Sequence, residues 1–235
     1  MADQSRRIVV ATHNEGKLGE IQAILTQSLR ALGTDQAKRA EEFTLVSAGQ
    51  LGLPDPVETG LTFEQNALIK AEDVTRRTGL PALADDSGLV VDVMGAAPGI
   101  LSARWSGVHG DDQANVRLLL AQLHDLPVDK LGAQFVCAAA LVLPADMVQE
   151  AVAEQGQPTE FIRTGRMMGH LVHEPRGEQG FGYDPIFVPD DQPQRATDAG
   201  LELTSAQLTP EEKNAISHRG KALKAIMPIL VDALL

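Results

Sequence analysis

RIVVATHNEGKLGEIQAIL, residues 7–25, decides the fold class. The apolar run at its start is short and rich in β-branched residues, so residues 7–12 read as a buried strand. His13 and Asn14 follow, and then Leu18, Ile21, Ile24 and Leu25 recur at helical spacing. Asn14 suits the cap of that helix, because its side-chain oxygen can accept from a free N–H of the first turn. A strand feeding directly into an amphipathic helix is the opening unit of an α/β protein.

The rest of the chain extends the pattern. A second strand is expected at 43–47 after a polar stretch. A helix is expected from about Thr62 to Thr78, with Glu64 and Gln65 in its first turn and Gly79 just past its end. PALADDSGLVVDV, residues 81–93, is an apolar run interrupted by two acids, with Ser87 and Gly88 suited to a tight turn. A helix is expected at 111–124, strands at 134–143 and 161–172, and a turn at 180–188 that feeds a short strand. Thr209, Pro210 and Glu212 have the spacing of a capping box with proline in the first turn. A last helix is expected from about Arg219, with Leu223, Ile226, Leu230 and Leu234 on one stripe and Pro228 kinking it or shifting its start. Helices and strands alternate and then strands dominate, which favours a mixed sheet.

Composition narrows the function. The 235 residues fit one large domain or two joined lobes. The formal charge of −12 argues against non-specific nucleic-acid binding, which needs clustered Lys and Arg. A small polyanion can still bind where a few cations and a metal focus positive potential. Cys137 stands alone, which excludes an intrachain disulfide and a cysteine-based zinc site and suits a reducing compartment. The start of the chain lacks the apolar core of a secretory signal, and no run approaches membrane-spanning length, so a cytoplasmic location is expected. Residues 1–6 are expected to be flexible.

Five residue groups could carry chemistry. ATHNEGK, residues 11–17, sits at a strand-to-helix junction, where free N–H groups and the helix dipole favour an anion. The same residues also read as an ordinary capped helix, since the glycines of a P-loop are missing. In LADDSG, residues 83–88, Asp85 and Asp86 end an apolar run, where charges must be paired or hold a metal. Carboxylates suit Mg²⁺, whose shell is completed by phosphates and water. Glu58 offers a second carboxylate, or is a surface glutamate. The helix after it puts Asn66 and Lys70 on one face. In GFGYDP, residues 180–185, Phe181 and Tyr183 could stack on a base or belong to the core. SHRGKAL, residues 217–223, with Lys213 upstream, offers donors to a polar ligand or a helix cap. His109, His124, His170 and His173 lack ligand spacing, and Trp105 and Cys137 read as packing residues.

Taken in order, ATHNEGK, ETGLTFEQNALIKA, ADDSGLVVDVMGAAPGILSARWSG, GFGYDPIF and LTPEEKNAISHRGKAL resemble the inosine/xanthosine triphosphate pyrophosphatase family over nearly the whole chain. Two segments, near 28–42 and 144–160, look longer than the family pattern and read as surface insertions. The resemblance implies a single domain with two lobes, an elongated mixed sheet with flanking helices, and an active cleft between the lobes, in a homodimer. It implies hydrolysis of ITP, dITP and XTP to the monophosphate and pyrophosphate, with one Mg²⁺ per subunit, replaceable by Mn²⁺.

The roles it implies are these. Thr12, His13, Asn14, Glu15, Gly16, Lys17 and Lys70 grip the triphosphate. Glu58 and Asp86 hold the metal, and Asp86 activates the attacking water with Asp85 assisting. Ser87, Phe181, Gly182, Tyr183, Asp184, Lys213, His218 and Arg219 line the nucleotide pocket, the last two near the 6-oxo edge of the base. A donor aimed at that oxygen is left unpaired by adenine. Guanine also carries a 6-oxo group, so its rejection must act at the 2-position. Two other readings share the motifs: a pyrophosphatase for modified pyrimidine nucleotides, and a nucleotide-binding module without turnover.

Overall fold

The computed structural model describes residues 7–13, 18–19, 21–26, 44–147 and 159–234. Among the described residues the strands are β1 (Arg7–Val10), β2 (Thr44–Ser47), β3 (Ala82–Val91), β4 (Gly132–Leu143), β5 (Thr159–Leu171) and β6 (Phe187–Pro189). They form one sheet in the order β2-β1-β3-β4-β5-β6. β1 runs parallel to β2, with Ile8 opposite Leu45, and parallel to β3, with Val9 opposite Ala82. β5 and β6 are antiparallel, with His170 opposite Val188. The protein is therefore α/β with a mixed sheet.

Among the described residues, the chain divides into two compact units. The first holds the residues up to Asp86, Ala138–Thr164 and those from Lys221 onward; the second holds Ser87–Cys137 and Gly165–Gly220.

In the first unit, residues 18–19 and 21–26 are helical, and Ile21, Ile24 and Leu25 are buried as their spacing requires. Helix α1 (Phe63–Thr78) shows why its boundaries were readable. Thr62 accepts from the N–H of Gln65 at one end, and Gly79, in the left-handed region, donates to the Thr75 carbonyl at the other. A cap of the first kind is worth about 1 kcal/mol. Phe63, Ala67, Ala71 and Val74 form its buried face, and the Thr75 hydroxyl donates to the Val142 carbonyl of β4. At the start of the chain, the Ala11 N–H donates to the Leu83 carbonyl, so the backbone carrying Thr12 and His13 leaves the sheet beside the residues that lead into Asp85.

In the second unit, α2 (Asp112–Leu123) packs Val116, Leu119 and Leu123 into a core with Leu89, Phe135 and Phe187. Two short helices follow β6: α3 (Gln194–Ala199) and α4 (Pro210–Ile216). Both bonds of the Thr209–Glu212 capping box form. Helix α5 (His218–Leu234) begins in this unit and continues in the first.

Two expectations change. Ser87 and Gly88 do not make a turn: they lie inside β3, which runs unbroken from Ala82 to Val91. Strand pairing is made by the backbone, and it tolerates two acids whose side chains find partners. Pro228 does not shift the start of α5, which begins at His218 and includes the proline. Pro228 is on the exposed face, opposite buried Ile226, Met227 and Leu230, where water can satisfy the carbonyl that a proline leaves unbonded. The segment 28–42 lies outside the described residues, as does most of 144–160, of which Ala145–Met147 is a turn of 3₁₀ helix. Residues 1–6 lie outside them too.

Candidate active site

The first unit gathers three of the expected residues into one ionic group. Lys70, on α1, places its ammonium 3.0 Å from Oδ1 of Asp86 and 3.1 Å from Oε1 of Glu58. Asn66, one turn before Lys70, donates to Oδ2 of Asp86 at 3.4 Å. Its own carbonyl oxygen accepts from the Gly60 N–H at 2.8 Å. Any side chain at Gly60 would collide with Asn66, which is why a glycine follows Glu58 and Thr59. The helical spacing of Asn66 and Lys70 thus aims both at one carboxylate.

Burial gives this group its chemical character. The side chains of Lys70 and Asp86 are 13% and 14% exposed, and that of Glu58 is 28% exposed. Burial pulls the Lys70 ammonium toward neutrality, but Asp86, Asp85 and Glu58 outweigh it and hold its pKa above the ordinary lysine value. Burial is also the largest influence on Asp86, and here it wins. With Glu58 nearby it pushes the carboxyl up, against the downward pull of Lys70 and Asn66. The asymmetry has a simple cause. The ammonium faces three carboxylates, whereas Asp86 faces one ammonium and another acid.

Asp85, 5% exposed, is the buried member of the acidic pair. Thr12 is buried, and its carbonyl accepts from the Gly49 N–H. His13 bonds through Nε2 to the Leu53 carbonyl at 2.7 Å and pairs through Nδ1 with Asp55 at 2.7 Å, so its ring ties the end of β1 to the 53–55 loop. Asn14, Glu15, Gly16 and Lys17 lie outside the described residues.

The second unit gathers the aromatic turn and the basic residues. Phe181 is 60% exposed, with the Lys213 ammonium 5.2 Å and the Arg219 guanidinium 5.9 Å from its ring centroid. Asp184 is buried and accepts from Lys213 at 2.5 Å and from the Phe181 N–H at 2.9 Å. Gly180 has φ +80°, and a side chain there would strike Asp184. His218 is buried and stacks on Phe135, with centroids 5.0 Å apart and planes 12° apart. Arg219 is 5% exposed. Ser87, half-buried, begins this unit.

Tyr183 takes a different place from the stacking position expected of it. Its ring is 4% exposed in the core of this unit, and its hydroxyl donates to the Ser102 carbonyl. Phe181 alone of the pair presents an aromatic surface.

Sequence reasoning missed the residues that hold this turn. Asp112 accepts from the Gly182 N–H at 2.8 Å. Ser102 accepts from the Leu89 N–H of β3 and donates to the Gly99 carbonyl, while its own carbonyl receives Tyr183. Arg195 bonds both oxygens of Glu212, at 2.8 and 2.9 Å, and fixes the helix end next to Lys213. That contact, with the capping bond to Thr209, holds the Glu212 carboxyl down at about 2. No spacing rule points to Asp112 or Arg195, because both act on residues far away in sequence.

His109 is exposed, His124 bonds the Ala121 carbonyl and pairs with Asp125, His170 lies 3.9 Å from Glu202, and His173 bonds the Leu126 carbonyl. Trp105 packs against the second core and donates to Gln122. Cys137 is fully buried in β4. Among the described residues, no three His, Cys, Asp or Glu side chains converge as a metal cage, and no helix is long and apolar enough to cross a membrane.

The structure is thus that of an α/β protein with a mixed sheet, in which one unit holds a lysine shared by two carboxylates and the other an exposed phenylalanine flanked by cations. The family follows from comparison. The Ham1 family model matches residues 8–229, and the chain belongs to the Ham1 family. A dITP/XTP pyrophosphatase of Bifidobacterium animalis subsp. lactis is 56% identical over 236 aligned positions, covering 95% of this chain and 96% of the relative. The Staphylococcus aureus Ham1 protein has a similar structure, with TM-score 0.74 and 32% identity over 95% of this chain and 97% of that one. A nucleoside-triphosphatase / dITP/XTP pyrophosphatase of Mycobacterium abscessus gives TM-score 0.66 and 45% identity over 94% of this chain and 99% of that one.

Proposed function

We propose that this Ham1-family protein hydrolyses the triphosphates of deaminated purines, dITP, ITP and XTP, to the nucleoside monophosphate and pyrophosphate. The observation that carries the reading is Lys70 held between Glu58 and Asp86, with its ammonium within 3.1 Å of both. The relatives named dITP/XTP pyrophosphatase support the choice of substrate.

The donor set fits Mg²⁺. Glu58 and Asp86 already converge on one cation, and Mg²⁺ takes one or two carboxylates and completes its shell with phosphate and water. When bound there, Mg²⁺ would neutralise the phosphate charge that builds up as pyrophosphate leaves. The remaining chemistry belongs to the side chains. Asp86 accepts the proton of the water that attacks the α-phosphorus, and a carboxyl raised by burial is better matched to that task than an exposed one. Asp85 assists it. Asn66 holds Asp86 in orientation. Lys70, joined by Thr12 to Lys17, takes the negative charge of the departing pyrophosphate.

Base choice is assigned to the aromatic turn and the basic residues beside it. Phe181 stacks on the purine, and Arg219, with His218, donates to the 6-oxo edge. Lys213, Asp184, Gly182 and Ser87 shape the surroundings of the base, with Tyr183 supporting the turn from below. The same reading takes the protein as a cytoplasmic homodimer acting on free nucleotides, away from nucleic acid and membrane, in keeping with its −12 charge.

The test is pyrophosphate release from a panel of purine and pyrimidine NTPs and dNTPs, with and without Mg²⁺. Mg²⁺-dependent release from dITP, ITP and XTP well above dATP and dGTP is expected. Preference for a modified pyrimidine would replace the substrate assignment, and tight binding without release would make the protein a binding module.

A further inference from the structure

Lys70 does more than gripping phosphate would require. Its ammonium satisfies one oxygen of Glu58 and one of Asp86, the two carboxylates that would hold a divalent ion. All three side chains are largely sheltered from water, so these pairs are screened less than exposed ones. An ammonium and a divalent cation on the same two carboxylates stand a few ångströms apart, and like charges that close repel in such surroundings. The pairing with Lys70 therefore opposes binding of the metal. Lysine is a point charge on a flexible four-carbon stem, so it can be drawn to another anion without moving its helix. Asp86 keeps the Asn66 amide when the ammonium departs, and Asn66 is itself fixed by the Gly60 N–H. The carboxylate position is therefore not built on Lys70 alone.

We propose that Lys70 is an internal counter-cation that keeps Glu58 and Asp86 paired until substrate phosphate draws it off, so that the divalent ion is loaded with the nucleotide rather than before it. The inference rests on the phosphate-cleaving role assigned to this group above. It makes Lys70 the residue that couples metal binding to substrate binding. A site open for only a fraction of the time binds more weakly in proportion to that fraction.

The experiment measures Mn²⁺ binding to the whole protein without nucleotide, from the electron paramagnetic resonance signal of free Mn²⁺. Lys70→Met is expected to bind Mn²⁺ about tenfold more tightly than the parent, while Lys70→Arg, which keeps the charge, stays within about twofold of it. The methionine variant should also gain thermal stability from Mn²⁺ alone, and more of it than the parent. Lys70→Gln gives the same measurement should the methionine variant fail to fold. Unchanged or weaker Mn²⁺ binding on removing the charge overturns the inference. Glu58→Gln in the Lys70→Met background separates the two layers of the argument. If that change weakens Mn²⁺ binding, the metal is on these carboxylates whatever Lys70 does. If it has no effect, the assignment of the metal site fails as well.

Discussion

Asp86→Asn is expected to lower kcat for dITP by about a thousandfold or more, with the fold intact. Asparagine keeps the shape and can still meet Asn66 and Lys70, but it loses the negative charge and the basic oxygen. Both proposed roles of Asp86, proton acceptor and metal ligand, go with them. Stability should change little. Burial already works against the charge of Asp86, so a neutral isostere relieves that penalty while Lys70 keeps Glu58 as its partner. Steady-state pyrophosphate release and thermal melting followed by circular dichroism read the two effects apart. Turnover near that of the parent removes Asp86 from the chemistry.

Arg219→Ala is expected to reduce the preference for dITP over dATP, measured as the ratio of kcat/KM values, by about ten- to a hundredfold. Arg219 is nearly buried, and its guanidinium sits beside the exposed Phe181 ring. A sheltered donor facing hypoxanthine oxygen is satisfied, and the same donor facing the amino group of adenine is not. Leaving such a group unpaired costs about 1–3 kcal/mol, which is the discrimination expected to disappear. The separate kcat and KM values matter too, because a residue that only props the turn would weaken both substrates alike. An unchanged ratio means that another group reads the base.

The legible parts of this protein were those whose cause is local in sequence. Thr62 and Gly79 mark the ends of α1 because caps act within a few residues, and the Thr209–Glu212 box is legible for the same reason. The Asn66–Lys70 face followed from helical geometry, and the structure turns that face to Asp86. The acidic pair was legible as a cost, two charges ending an apolar run, and Lys70 and Asn66 offset it at Asp86.

What stayed hidden depends on contacts across the chain. Ser87 and Gly88 have turn-like chemistry, yet β3 carries them straight, because strand pairing with neighbours far away in sequence overrides local preference. Tyr183 and Phe181 stand two residues apart between glycines, and nothing local says that one ring enters the core and the other stays exposed. The Ser102 carbonyl that receives the Tyr183 hydroxyl makes that choice. Asp112, which pins Gly182, belongs to the first turn of a helix, where an acid already has an ordinary reason to be.

The central claim is that Glu58 and Asp86 together hold a divalent ion for use on substrate phosphate. The most direct measurement is the anomalous difference map of crystals grown with Mn²⁺ and a non-hydrolysable dITP analogue. A single strong peak is expected about 2.1 Å from a carboxylate oxygen of each residue and in contact with the analogue's phosphates. A peak on other side chains, or an ordered analogue with Lys70 still bridging Glu58 and Asp86 and no metal between them, would contradict the claim.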